Sequence, residues 1–231
     1  MFNTVLTDKC VSDKCEESLL ALGYVVVRLP SFRGLSSPIS SHPDILCAKL
    51  KDGSLLLSAE YYESEKKFFD NLPIKIKITD ETLFSGYPND ILFDALCVNG
   101  RVYGKKGCVS RFIIEENDEF VPVKQGYSRC SVAMLSDSCA ITADSGLAKA
   151  LTRDGIKVLL ISQGNIRLEG YDTGFIGGAG GKLLDGVYCF FGDLMSHPDG
   201  KSIVEFASQN KINAVSLSDE PLCDNGGLIL L

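Results

Sequence analysis

The chain has 231 residues, 45% of them hydrophobic and 23% charged, which is enough apolar material for one sizeable core. A formal net charge of −7 argues against nucleic acid as a partner, because phosphate binding rests on clustered Lys and Arg. No apolar run approaches the ~20 residues of a bilayer span, and the first residues lack the basic-then-apolar pattern of a signal peptide, so no membrane partner is expected. The nine cysteines are scattered, with no CxxC pair. Cys47, Cys97, Cys130 and Cys189 read as small core hydrophobes in a reducing cytoplasm.

In chain order, Asp13 with Glu16 three residues on predicts a helix N-terminus. Leu19, Leu20 and Leu22 face the core and Gly23 closes the helix. Tyr24 to Leu29 reads as a buried strand and Phe32 to Ser41, rich in Ser, Gly and Pro, as a loop. A second unit opens at His42-Pro43-Asp44-Ile45-Leu46. Strands over Ile45 to Leu50 and Ser54 to Ser58 flank Asp52-Gly53, a hairpin signal. A helix over Tyr61 to Asn71 and a strand over Ile74 to Ile78 follow. The third unit opens on an echo, Tyr87-Pro88-Asn89-Asp90-Ile91-Leu92. It holds a type I′ hairpin at Asn99-Gly100, a short helix from Ser110 to Glu116 and a strand from Phe120 to Val123.

The fourth unit pairs Ser131 to Leu135 with Ala140 to Thr142. Its helix is capped by Asp144 and ended by Gly155, and leads into a strand over Ile156 to Ile161. The fifth begins at Gly186 to Phe191. Pro198 suits the first turn of its helix, whose apolar face is Ile203, Val204, Phe206 and Ala207, and Val215 to Leu217 is the strand. Leu228 to Leu231 is a last short strand that can pair back near the N-terminus and protect an edge. One phrase recurs: a helix end, a tight turn and a strand, at Gly23, at Gly155 and at Lys211. Such repetition signals a radial or stacked architecture. No linker divides the chain, so residues 1–231 are expected to form one domain.

This order of units resembles the pentein, or guanidine-modifying-enzyme, fold, an α/β (α+β) architecture of five pseudo-symmetric ββαβ propeller blades. Members that act on guanidines use a Cys nucleophile, a His and acidic residues. The resemblance places that His within Gly181-Lys182-Leu183-Leu184-Asp185-Gly186-Val187, where Asp185 is present but Leu183 takes the histidine's place. It places the Cys after Gly226-Gly227, where Leu230 stands. A covalent mechanism lacks both sulfur and base at these positions. The resemblance therefore implies a branch of the fold without the usual Cys and His, leaning away from catalysis.

In such a fold the links between blades converge on one mouth. The expected ligand-binding residues there are Asp44, Asn89, Asp90, Arg129, Asp185, Asp224 and Asn225, with Gly177 and Gly178. Convergent acids suit a guanidinium, although Asp44, Asp90 and Asp224 equally suit Asx turns. The run Gly174 to Lys182 is either a backbone anion nest or a crossing too tight for side chains; it has neither Walker A spacing nor a Rossmann context. Cys223 and His42 are the catalytic candidates. Asp219, Glu220 and Asp224 would raise the Cys223 pKa, and His42 suits either a proton shuttle or a plain turn.

The expected function is binding of a small polar ligand, guanidino- or amino-acid-like, or of a partner, at the mouth. One alternative is a divergent hydrolase or transferase acting on a C–N bond through Cys223; another is a structural or interaction protein. No cofactor is expected, and no metal, because zinc-ligand spacing is absent. The oligomeric state is left open.

Overall fold

The computed structural model describes residues 3–184 and 186–231. These form five three-stranded sheets of one pattern, a strand antiparallel to a middle strand that is itself parallel to a third. In chain order, the first blade holds β1 (Asn3–Thr7), α1 (Asp13–Ala21) and β2 (Tyr24–Arg28). The second holds α2 (Pro43–Leu46), β3 (Cys47–Lys49), β4 (Leu55–Ser58), α3 (Ala59–Ser64), α4 (Lys66–Phe69) and β5 (Ile76–Thr79). The third holds β6 (Leu96–Val98), β7 (Arg101–Gly104), α5 (Arg111–Glu115) and β8 (Glu119–Pro122). The fourth holds β9 (Val132–Ser136), β10 (Cys139–Thr142), α6 (Ser145–Arg153) and β11 (Lys157–Leu160). The fifth holds β12 (Gly180–Lys182), β13 (Val187–Phe190), α7 (Gly200–Gln209) and β14 (Asn213–Ser216).

The last strand, β15 (Ile229–Leu230), pairs antiparallel with β1, Leu230 opposite Val5 and Ile229 opposite Leu6. It supplies the antiparallel strand that the first blade lacks, as the sequence suggested. The chain thus joins its two ends inside one sheet, and the architecture is a five-bladed pseudo-symmetric propeller. No helix among the described residues is long and apolar enough to cross a membrane.

The middle strands are apolar at their centres, where blades pack on both of their faces. Leu55, Leu56 and Leu57 are fully buried, as are Cys139, Ala140 and Ile141. Apolar seams fill the joints between blades. Val5 and Leu19 of the first blade meet Cys189 and Phe191 of the fifth. Leu96 and Tyr103 of the third meet Leu147 and Leu151 of the fourth. The recurrent helix–turn–strand phrase has a single backbone basis: Gly23, Gly155 and Lys211 all take positive φ, +87°, +88° and +62°. This left-handed residue ends the helix and turns the chain into the parallel strand.

Several local expectations are corrected. Ser12, not Asp13, caps α1, its hydroxyl accepting from the Cys15 amide at 3.4 Å. Ile45 lies in the helical turn α2 rather than in a strand, because Pro43 sits at its first position, where no N–H is needed. The Tyr61 to Asn71 segment is two helices broken at Glu65. Pro198 precedes its helix, which Asp199 caps. The fifth blade opens with β12, inside the glycine-rich run. That strand is invisible to β-propensity because glycine has little. Glycine is required there because a Cβ on Gly180 would strike the Cys189 carbonyl of the neighbouring strand.

Candidate functional site: a buried anionic cluster on the propeller axis

Each blade's first strand is preceded by a link, and the five links meet on the axis. The link before β3 carries His42 and Asp44, that before β6 carries Asp94, and that before β9 carries Arg129 and Cys130. Gly177 and Gly178 precede β12, and Asp224 to Gly227 precede β15. A cavity of about 330 Å³ runs along the first strands from this meeting point, lined among others by Asp44, Arg129, Gly177, Gly226 and Leu228.

The links interlock through backbone crossings. A Cβ on Gly177 would lie 2.5 Å from the Arg129 and Val132 carbonyl oxygens, and one on Gly226, at φ +64°, would lie 2.6 Å from the His42 ring. A Cβ on Gly178 would collide with the Asp224 carboxylate. Of the two readings of the glycine run, the tight crossing holds. The amides of this region already serve an internal anion: Asp224 accepts from Phe175 N at 2.8 Å and from Gly226 N at 2.9 Å.

Around the crossing lie four carboxylates. Asp8, Asp44, Asp94 and Asp224 are each no more than 2% exposed. His42, 3% exposed, stands among three of them: Nε2 is 3.7 Å from Asp8, and Nδ1 is 4.0 Å from both Asp44 and Asp224. Ser41 Oγ donates to Asp8 at 3.1 Å. Asp94 Oδ1 accepts from Arg129 N at 2.7 Å and Cys130 N at 3.0 Å, which fixes the fourth-blade link. The Cys130 thiol faces Asp224, Sγ to Oδ2 3.4 Å. The Arg129 guanidinium donates through Nη1 to the Cys47 carbonyl at 3.1 Å.

Charge is poorly balanced here. Four acids face Arg129 and one ionisable ring. Burial, and then the neighbouring Asp44 charge, push the Asp94 carboxyl well above the usual carboxylate range, against the pull of the two amides and Arg129. Burial also raises Asp224, with His42 pulling it down and Asp44 pushing it up. Burial, then Asp224, Asp44 and Asp94, push the Cys130 thiol far up. Among the described residues neither oxygen of Asp44 has a hydrogen-bond partner, nor does Asp94 Oδ2. Buried carboxylate oxygens without partners are costly and mark a place where a cation would be stabilised.

The sequence-selected residues fall into three sets. His42, Asp44, Arg129, Gly177, Gly178, Asp224 and Asn225 come together at the axis, Asn225 through its amide to the Gly178 carbonyl at 3.0 Å. Asp90 is buried but belongs to a flank, where Oδ2 accepts from Tyr127 OH at 2.9 Å. Asn89 is an exposed turn residue whose amide donates to Gly86 O, and no side-chain contact ties it to the cluster. Asp185 lies outside the described residues.

Cys223 is half-buried, and burial foremost raises its thiol to about 11, against a smaller opposing pull from Arg167. Its surroundings therefore work against a thiolate nucleophile. Leu183 is 3% exposed in the apolar seam with Val5 and Leu19, and Leu230 lies in β15. His197 is structural, its Nδ1 accepting from the Asp199 amide at 3.1 Å.

Asp8, Asp94 and Cys130 were not singled out as site residues from the sequence. A lone carboxylate inside the apolar run Ile91 to Val98 was the available signal for Asp94. Asp8 follows a buried strand in the same way.

No curated protein matches the sequence. Among solved structures, the fold is similar to a Cys-to-Ser variant of DDAH from Pseudomonas aeruginosa complexed with citrulline, with TM-score 0.54 and 11% identity, covering 95% of this chain and 93% of that one. It is also similar to a Cys-to-Ser variant of agmatine deiminase from C. jejuni with substrate bound, with TM-score 0.58 and 8% identity, covering 99% of this chain and 93% of that one. Both are pentein proteins, and at these identities the likeness is one of fold. Residues 6–229 match a family of unknown function, DUF6873, and the chain belongs to that family, on a pentein fold.

Proposed function

We infer that this single-domain propeller is a cytoplasmic binding protein for a small molecule carrying a guanidinium or ammonium group, and that it does not hydrolyse guanidines by the Cys–His route. One observation carries the reading: Asp44 lines the axial cavity, is 1% exposed, and has two carboxylate oxygens without partners. Two open oxygens on one carboxylate match the paired N–H groups of a guanidinium, which binds bidentately. Arg129, on the same cavity wall, offers further N–H groups to an anionic end of the ligand. A cavity of about 330 Å³ suits a molecule of amino-acid size. Leucines at the positions of the family's Cys and His, and the raised pKa of Cys223, support binding without the covalent step. Nine unbridged cysteines support the reducing compartment.

The test is a thermal-shift panel on chelator-treated protein with arginine, agmatine, methylguanidine and neutral citrulline. A ligand at about 100 times its Kd adds about 2.7 kcal/mol, or about 5–10 °C in Tm for a chain of this size. The cationic compounds should shift Tm and citrulline should not. A panel in which no cationic compound shifts the wild type would end this reading.

A further inference from the structure

We propose that Cys130, Asp44 and Asp94 form a site for one divalent transition-metal ion beside the axial cavity, which Asp44 lines. Among the described residues these three side chains bring a sulfur and two carboxylate oxygens within 4.8 Å of one another, all buried. They come from the links before β9, β3 and β6, so no ligand spacing along the chain could reveal them. A shared first shell needs ligand atoms about 3.3–3.8 Å apart, given Zn–S near 2.3 Å and Zn–O near 2.0–2.2 Å. Side-chain rotation of about 1 Å closes the difference.

The acids alone would be a weak argument. The independent observation is that Asp44 Oδ1 and Oδ2 and Asp94 Oδ2, on two carboxylates at most 1% exposed, have no hydrogen-bond partner among the described residues. Asp94 is already oriented as a ligand. Its Oδ1 is held by the Arg129 and Cys130 amides, leaving Oδ2 free for an ion, which is how outer-shell contacts normally fix a ligand. One thiolate with two carboxylates suits Zn²⁺, Co²⁺ or Fe²⁺ better than Ca²⁺ or Mg²⁺, which take oxygen ligands only. The ion adds a positive charge among the buried acids Asp8, Asp44, Asp94 and Asp224. On binding, Cys130 coordinates as thiolate and its proton leaves by way of the Asp224 carboxylate, 3.4 Å away, to solvent. Three protein ligands leave a fourth coordination position for another ligand, as in catalytic rather than structural metal sites.

The site shares Asp44 with the organic-ligand reading but does not depend on it. The probe is Co²⁺ added to chelator-treated full-length protein, followed by Zn²⁺ competition. The expected result is one equivalent bound, with a sulfur-to-cobalt charge-transfer band in the near ultraviolet. X-ray absorption on the wild type should count one sulfur and the rest oxygen or nitrogen. Cys130→Ser should abolish the band, and Asp94→Asn should weaken binding by more than about 100-fold, beyond the loss of an outer-shell partner. No stoichiometric binding overturns the proposal, as does a band retained in Cys130→Ser or an absorption spectrum with no sulfur or several. The wild-type measurements decide the matter even where a variant fails to fold. Guanidine-induced shifts in metal-free protein report on the organic ligand separately, so either reading can fail alone.

Discussion

Replacing Asp44 with Asn should make the metal-free protein more stable while removing its response to cationic ligands. The carboxylate is 1% exposed and its oxygens have no hydrogen bonds. Among the described residues the nearest ionisable cation is the His42 ring, 4.0 Å away and too far for a hydrogen bond. Asp94, within 4.8 Å, offers no compensating positive charge. Most of the several kcal/mol of desolvation that a buried ion carries is therefore left uncompensated. An amide of the same shape still buries unpartnered polar atoms at about 1–3 kcal/mol. The net expectation is a gain of about 1–3 kcal/mol, or roughly 2–12 °C in Tm at 2–4 °C per kcal/mol for this chain length. Scanning calorimetry of chelator-treated wild type and Asp44→Asn, with and without arginine, measures both parts. A Tm that falls by several degrees while the arginine shift persists would refute the reasoning, because it would make Asp44 a structural residue.

Three further outcomes follow from particular positions. Gly155 has φ +88° and open space where a Cβ would go, so Gly155→Ala isolates backbone strain and should cost about 1–2 kcal/mol in urea denaturation. Lys211→Gly, at φ +62°, should be neutral or stabilising, and a loss there equal to that of Gly155→Ala would contradict the shared turn. Cys223, raised to about 11, should react with iodoacetamide at pH 7.5 roughly 100- to 1,000-fold more slowly than a free thiol of pKa near 8.5. Its rate should climb tenfold per pH unit, and mass spectrometry showing free-thiol reactivity at pH 7.5 would restore it as a nucleophile. Deleting residues 228–231 removes β15, which closes the first blade against Val5 and Leu6. It should lower Tm by well over 5 °C, and an unchanged Tm would mean that the closure carries no stability.

The local grammar of the blades was legible because it depends on near neighbours. Alternating apolar runs, Asn99-Gly100 with both residues at positive φ, and Asp144 accepting from Gly146 N and Leu147 N each need only a few consecutive residues. The count of these signals resolved into five repeated units and their closure by the last strand. The strand start at Ile45 and the helix start at Pro198 were each off by two residues, because an element's end depends on what packs against it. The strand at Gly180–Lys182 was missed because its residues were chosen for the approach of the Cys189 backbone, not for strand propensity.

The site divides the same way. The sequence alone placed His42, Asp44, Arg129 and Asp224 in the links between blades, and its resemblance to the pentein fold implied that Leu183 and Leu230 take the positions of the enzymes' His and Cys. It could not establish which charges meet. Asp94 passed unmarked within the strand read over Ile91 to Val98, and Cys130 read as a small core hydrophobe, since neither has a local partner that reveals it. Only closure of the propeller brings residues as distant as Asp8 and Asp224 around one imidazole. Burial then leaves Asp44 Oδ1 and Oδ2 and Asp94 Oδ2, which water would satisfy in an open loop, without hydrogen-bond partners among the described residues.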